Sequence, residues 1–361
     1  MSVVRLGLLG AGGVAALHAQ AALAMPGEVR VTAVCDVDQA RAAELAARSG
    51  ARVHPDHLSM LDAVDALIVC TPHALHLAPA LDAAAAGVHV LMEKPMATSL
   101  ADCDAMADAC AKAGVVLFLG HVQHYLPITR KAHEVVASGE IGRPVAIVDR
   151  RATDYRRDRR PAWFFDPALA GGGAVMNIGA HCVDRSTWLA GAPAVRVTAR
   201  LEKRGLPVET EGLLHLELAN DVLVTVSVTT GAIPPMDEIE VLGSHGTLRA
   251  SRADGVWLAA RGRAGQLAGP GDIDQEVALA FRDQLRDFAA AVRGERPAAI
   301  GPEVGRAVVA TVLAAYASAD TGEAALVAAD RQPLGRPLVA TDRQPLGEPL
   351  VAADRRRLGQ P

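Results

Sequence analysis

Three short clusters in this sequence hold side chains able to do chemistry together. The first, Gly10-Ala11-Gly12-Gly13-Val14-Ala15, is a G-x-G-x-x-A pattern directly after an apolar run. Gly10 permits a tight turn, Gly12 lets a pyrophosphate approach the backbone, and Ala15 allows a helix to pack closely on a strand. A helix beginning here, at Gly13 or Val14, offers free N–H groups and the positive end of its dipole to phosphates. Glycine-rich turns are common, so the position between strand and helix is what gives this one weight. Asp36 adds to it. It ends the second apolar run, 24 residues after Gly12, where a carboxylate accepts hydrogen bonds from adenine-ribose hydroxyls and repels a 2′-phosphate. Asp38 adds negative charge and no arginine immediately follows Asp36, which points to NAD over NADP. The competing role for Asp36 is a turn residue capping the next helix, a role Asp38 could also fill.

The second cluster is Glu93-Lys94-Pro95, after the apolar run Val88–Met92. At the carboxyl end of a parallel strand, Lys94 would face the ligand crevice, where it could donate to a substrate hydroxyl and lower its pKa. Pro95 fixes the turn and is a candidate for a cis peptide. A surface loop lysine is the plainer alternative. The third cluster lies in Gly171–Asp184. If residues 175–189 are helical, Asn177, His181 and Asp184 share one face at i, i+4 and i+7. An imidazole beside a pocket can take the proton of an alcohol as hydride leaves its carbon. Its alternative is a core histidine hydrogen-bonded within the helix.

Elements that would position these groups can be read from periodicity. Over the first 120 residues, short Val/Leu/Ile runs alternate with Ala-rich stretches, which predicts βαβ units and a parallel sheet. Beyond residue 143 the rhythm changes to period two. The valines at 222, 224, 226 and 228 face one way and Leu223, Thr225, Ser227 and Thr229 the other, as in a mostly antiparallel sheet with one apolar face. Two amphipathic helices follow, near 276–293 and 303–319. The division expected is a doubly wound Rossmann domain over 1–121 and an α+β domain with a large open, mostly antiparallel sheet over 122–329. From Asp330 a twelve-residue unit, Asp-Arg-Gln-Pro-Leu-Gly-Arg-Pro-Leu-Val-Ala-Thr, repeats with variations, giving a tail over 330–361 that reads as a loose arm or as a clasp on another subunit.

Composition excludes several function classes. The net charge of -5 and an aromatic share of 3% argue against a nucleic-acid binder. The five cysteines are odd in number and irregular in spacing, which fits reduced thiols in a cytoplasmic protein better than disulfides or zinc. No membrane span is expected. Three H-x-x-H pairs, His54/His57, His73/His76 and His121/His124, lack the carboxylates a metal site needs, so no metal is expected. Six arginines and four aromatics crowd residues 150–165. They read either as a solvated loop or as a substrate loop, with arginines for phosphate or carboxylate and an aromatic for a sugar face. For a cationic aminosugar, Asp149, Asp154, Asp158 or Asp166 would be the binders.

In order, Gly10-x-Gly12, Asp36, Thr71-Pro72, Glu93-Lys94-Pro95 and Gly171–Asp184 together resemble the Gfo/Idh/MocA family, the glucose–fructose oxidoreductase and inositol dehydrogenase group. Ser138–Gly142 and Phe288–Pro297 resemble it too, and the likeness covers about residues 1–325. The resemblance implies NAD as cofactor, a sugar-like alcohol as substrate, and a homodimer or homotetramer through the large sheet. It implies that Lys94 and His181 are catalytic and that Glu93 and Pro95 shape the nicotinamide pocket. Thr71, Pro72, His76 and Gln123 are expected beside the dinucleotide, and His124, Tyr155, Trp163, Asn177 and Asp184 beside the substrate. One departure stands out: polyol-oxidising members usually carry Asp where this chain has Asn177. Asn cannot relay a proton but can orient a hydroxyl, and here it resembles members that oxidise ring position 3 of a nucleotide-linked sugar acid. A redox-neutral hydrolase or lyase that retains NAD, and a non-catalytic dinucleotide sensor, are the other functions compatible with these motifs.

Overall fold

The computed structural model describes residues 2–230 and 235–329. Short buried strands of Val, Leu and Ile build a first sheet: β1 (Val4–Leu9), β2 (Val29–Cys35), β3 (Arg52–Val53), β4 (Ala66–Val69), β5 (His89–Met92) and β6 (Leu117–Leu119). All its pairings are parallel, in the order β3-β2-β1-β4-β5-β6. Order therefore reverses at β1, and a doubly wound sheet opens its ligand crevice there, outside the strand carboxyl ends. The connecting helices are α1 (Gly13–Leu23), α2 (Gln39–Ser49), α3 (Leu58–Leu61), α4 (Leu77–Ala85) and α5 (Leu100–Ala113). Their ends follow local chemistry. The Asp38 carboxylate caps α2 and Ser99 caps α5, while Gly50 and Gly114 close them in left-handed conformation.

After α6 (Pro127–Ala137), the chain enters a second sheet through β7 (Pro144–Thr153). The short helix α7 (Pro167–Ala170) and α8 (Ala180–Ala190) come next, followed by β8 (Ala194–Glu202), β9 (Glu211–Leu218), β10 (Leu223–Thr230) and β11 (Met236–Gly243). Then come β12 (Gly246–Ser251), β13 (Gly255–Ala260), β14 (Arg263–Ala268), α9 (Ile273–Val292), α10 (Pro302–Thr321) and β15 (Ala325–Leu326). The nine strands run β14-β13-β12-β11-β7-β10-β9-β8-β15, and among the described residues β7–β10 is this second sheet's one parallel pairing. Val224, Val226 and Val228 alternate inward as the period predicts, joined by Leu214 and Leu216 of β9, with α6, α8 and α10 packed on that face. The short strands β12 to β14 escape a sequence reading because GTLRAS, GVWLAA and RAGQLA hold few β-branched residues.

Packing does not follow chain order. Phe281, Leu285 and Phe288 of α9 belong to the core of the first sheet, where Phe281 meets His18 of α1 edge-on at 5.0 Å. The first sheet's core is thus completed by residues that come after eight of the second sheet's nine strands. The repeats from Asp330 lie outside the described residues.

One buried ion cluster ties α8 to the second sheet. Arg185, 1% exposed, donates to both Asp149 oxygens at 2.6 and 2.9 Å and to Asp237 Oδ1 at 2.7 Å. Burial alone would raise the Asp237 carboxyl, but Arg185, Arg151 and Arg252 outweigh it and hold it below the usual carboxylate range. A carboxyl depressed on folding contributes stability that is present at neutral pH and lost as pH falls below its unfolded value. Removing Asp149 would leave the buried Arg185 with Asp237 as its remaining carboxylate and two of its N–H groups without their acceptor. Asp149→Ala is therefore expected to lower the unfolding free energy by about 3–5 kcal/mol at neutral pH, read from urea denaturation. A midpoint equal to that of the native chain would refute the assignment.

Candidate active site

Gly10, at φ +93°, turns the chain under Cys70, whose carbonyl oxygen leaves no room for a Cβ. Gly12 caps α1, and a Cβ added at Gly12 or Gly13 would meet no atom within 4 Å. The glycines therefore border open space at a helix N-terminus whose first turn holds no acidic residue, with Val14 next in that turn. Asp36 reaches this loop from the end of β2. Its Oδ2 accepts from the Ala11 amide at 2.6 Å and its Oδ1 from the Asp38 amide at 2.7 Å. Capping of α2 falls to Asp38, which accepts from the Ala40 and Arg41 amides. Asp36 is thus free of the cap role and faces the crevice turn. Arg41, which sequence reasoning passed over, stands 3.6 Å from Asp36.

Several expected dinucleotide neighbours gather at the strand ends. His76 is buried between two backbone carbonyls, Met96 at 3.1 Å and Thr71 at 3.0 Å, and burial holds the ring below its ordinary pKa. It ties the loop that carries Pro72 to the one that carries Pro95. The Thr71 hydroxyl and the Gln123 Oε1 are buried without hydrogen-bond partners among the described residues. Orphaned polar atoms of this kind at a crevice fit a ligand that supplies the missing bonds. The Glu93 carboxylate accepts from or pairs with His18 Nε2 of α1 at 2.8 Å and touches the space beside Gly120. The glycine turn, Asp36 and these orphaned atoms together suit a bound dinucleotide.

Lys94 leaves the end of β5 through a cis Lys94–Pro95 peptide and crosses to the second sheet's helix layer. The segment Val175–Gly179 is a π turn running into α8, wider than the α-helix the spacing predicted; such turns often sit at functional sites. Lys94 Nζ donates to the Asn177 carbonyl at 2.9 Å and to its Oδ1 at 2.8 Å. Burial lowers the amine to about 7; Glu93 opposes that shift, and Arg151 and Arg160 add to it. His181 is held well below its ordinary value, first by burial and then by Lys94, Arg151, His121 and Arg185. It is therefore neutral at physiological pH. Tyr155 is 1% exposed and donates to the Phe164 carbonyl at 3.3 Å. Trp163 packs edge-on against His73 at 5.0 Å.

Glu209 holds this helix start, and nothing in the sequence marked it. Its carboxylate accepts from the Gly173 and Val175 amides at 2.8–2.9 Å and from the Tyr316 hydroxyl at 2.8 Å. A Cβ at Gly172 would strike Tyr316 and one at Gly173 the Glu209 backbone, which accounts for the glycine run. Two expected substrate contacts face elsewhere. Asp184 is 1% exposed with Oδ1 3.0 Å from His124 Nε2 and Oδ2 3.4 Å from His121 Nδ1. Oδ1 is engaged by His124, while Oδ2 makes no hydrogen bond among the described residues. Asp149 is sealed under Arg185, Asp166 caps α7, and Asp154 pairs with Arg156 at 2.7 Å. Of the histidine pairs, His57 meets Asp82 at 2.8 Å and His73 the Ala170 carbonyl at 2.8 Å; among the described residues no group of metal-ligating side chains converges.

Residues 4–121 match a family model described as an oxidoreductase family, NAD-binding Rossmann fold, and residues 129–249 one described as a GFO/IDH/MocA C-terminal domain. Inositol 2-dehydrogenase 1 of Saccharopolyspora erythraea is 32% identical over 322 residues, 86% of this chain and 92% of that one. UDP-N-acetylglucosamine 3-dehydrogenase of Acidithiobacillus ferrooxidans is 26% identical, covering 86% and 95%. Among solved structures, GenD2 from gentamicin A biosynthesis, in complex with NAD, superposes with a TM-score of 0.82 at 30% identity, over 91% of this chain and 97% of that one.

The amine makes a prediction of its own. Folded Lys94 titrates near 7, whereas an unperturbed lysine holds its proton up to 10.5. Between those values the unfolded chain binds the extra proton, so stability at this site rises with pH and its cost is fully present below about 7. Relative to Lys94→Met, the native chain should lose on the order of 3 kcal/mol as pH falls from about 10 to about 7. Urea titrations of both proteins check this. A gap independent of pH would show the ammonium to be solvated.

Proposed function

Because the chain belongs to the GFO/IDH/MocA oxidoreductase family and carries its NAD-binding Rossmann domain, we propose that it is a dehydrogenase oxidising a secondary hydroxyl of a sugar or cyclitol to a ketone. One observation carries this reading: Lys94 Nζ, pinned by both Asn177 oxygens, keeps one bonding position for a substrate oxygen beside a neutral imidazole. An ammonium has three donors, and two are spent on Asn177. The third polarises the alcohol oxygen and stabilises the charge that develops on it. His181 accepts the alcohol proton, as general bases of lowered pKa do. The nicotinamide, when bound, accepts the hydride. Asn177 orients the amine, and Tyr155 and Trp163 wall the sugar.

NAD is the cofactor that suits Asp36, whose carboxylate would repel a 2′-phosphate. Arg41 stands ready to reverse that preference if Asp36 is removed. For the substrate, the positive charges of Arg151 and Arg160 act on Lys94, while Asp149, Asp154 and Asp166 are engaged elsewhere. This balance favours a neutral or anionic sugar over a polycationic aminoglycoside. The outward face of the large sheet, where Leu213, Leu223 and Trp257 are 42%, 58% and 44% exposed, is the surface a second copy would cover in a homodimer or homotetramer. No described helix is long and apolar enough to cross a membrane, and the five cysteines are unpaired, in keeping with the cytoplasm.

The test is a screen of cyclitols, hexoses, nucleotide sugars and aminoglycosides by NADH absorbance, with NADP in parallel. Lys94→Ala and His181→Ala should each cut turnover about 10²–10⁴-fold with NAD affinity kept. Full turnover in both variants would sink the proposal, and bound cofactor without net NADH would mark a redox-neutral reaction instead. Asp36→Ala should shift preference towards NADP by roughly tenfold or more; an unchanged ratio would remove Asp36 from cofactor choice.

A further inference from the structure

Two arginines near the site hold donors that no described residue fills. At period two, β7 turns Asp149, Arg151 and Thr153 to one face, and Arg185 of α8 marks that face as the helix side by bonding Asp149 at 2.6 Å. In register, Arg151 stands opposite Asp237 of β11 and beside Val228 of β10. Val228 lies 3.5 Å from the position a Cβ would take at Gly179, midway between Asn177 and His181. The π turn and α8 thus pass over β7 with Gly179 level with Arg151 and Arg185 at Asp149, and His181 falls between those two points. Arg151 Nη1 is buried without a hydrogen-bond partner among the described residues, and Nη2 is 3.9 Å from Asp237 Oδ2. That acid is already paired, with Arg185 at 2.7 Å and Arg252 at 3.2 Å. Arg160 reaches the same face of β7. Its Nη2 donates to the Thr153 hydroxyl and its Nε to the Asp154 carbonyl, each at 3.1 Å, and its guanidinium carbon lies 5.8 Å from the centroid of the Tyr155 ring. None of these partners is a carboxylate, whereas Arg156 and Arg159 of the same loop pair with the Asp154 side chain.

We propose that Arg151 and Arg160 form an anion subsite for the substrate, so that the sugar oxidised here carries a carboxylate or phosphate group. The subsite rests on the reading of this crevice as the sugar site of a dehydrogenase. A guanidinium taken out of water is unfavourable while its donors are unmet, and its planar fork matches two oxygens of a carboxylate or phosphate. Arg151 and Thr153, which holds Arg160, are one two-residue step apart, about 7 Å along the strand, short enough for one anionic group to meet both cations. The anion also completes the charge around Lys94. Both guanidinia depress the amine, and Arg151 depresses the His181 ring. A negative group seated on the two arginines offsets that effect and favours the ammonium form that polarises the alcohol oxygen. A polycationic sugar meets the opposite field.

The experiment gives the full chain, with NAD, matched pairs of substrates: a hexuronate and its hexose, a hexose phosphate and its hexose, a nucleotide-linked hexuronate and the nucleotide-linked hexose. NADH absorbance reads kcat/KM for each member. The native chain should favour the anionic member of at least one pair roughly tenfold or more, and the pair that shows it tells carboxylate from phosphate. Arg151→Gln and Arg160→Gln should each shrink that preference roughly tenfold, chiefly through KM. NAD binding reports whether each variant is folded, and the loop variant Arg160→Gln keeps the test open should Arg151→Gln not fold. Equal or better use of the neutral member in every pair would overturn the subsite. So would a preference unmoved in either folded variant, because a packing role slows both members alike and leaves their ratio unchanged. In those outcomes NADH still forms and the dehydrogenase reading stands; no NADH from any member would defeat that reading and the subsite with it.

Discussion

A single buried amine holds the site together. Lys94 leaves one sheet, and both of its hydrogen bonds land on Asn177 in the helix layer of the other. An ammonium taken out of water is unfavourable unless its donors are satisfied, so the amine and the π turn that receives it must be placed together. Much of the surrounding structure serves that requirement. Glu93 and His18 brace the strand end beneath Lys94, and Glu209 with Tyr316 fixes the start of the receiving helix from the opposite side. The glycines at 172 and 173 leave those two residues the room they need.

Charge is sorted across α8. Neighbours in sequence, Asp184 and Arg185 point to different company: the acid to the imidazoles of His121 and His124, the base to Asp149 and Asp237 under the sheet. The helix is thereby tied to its surroundings through two separate clusters. Asp237 has Arg185, Arg151 and Arg252 close by, which is the condition on which a buried carboxylate remains ionised.

Local features of the site were legible in the sequence and distant ones were not. The glycine turn and Asp36 could be found because a strand, a turn and a helix follow one another within a few residues, and each motif position has a local physical reason. Lys94 and His181 stood out as chemistry at the ends of readable elements. Asp38 as the cap, leaving Asp36 to the crevice, was one of two readings that only the hydrogen bonds distinguish. Glu209, His18, Tyr316 and the charge on Arg151 act across long separations in the chain, for which a lone sequence holds no signal. The same holds for Asp184: the helical spacing placed it on the face of Asn177 and His181, but its contacts with His121 and His124 depend on where another segment lands.

The return of α9 to the first core has a consequence for how the molecule is made. On the ribosome, the six parallel strands and their own helices emerge first, yet Phe281, Leu285 and Phe288 are still unsynthesised. The nascent nucleotide-binding half must wait, one apolar flank uncovered, until more than a hundred further residues have appeared. Its completion and that of the second sheet are thus coupled in time, and a chain cut after the first sheet would keep the glycine turn but lack the layer that seals it.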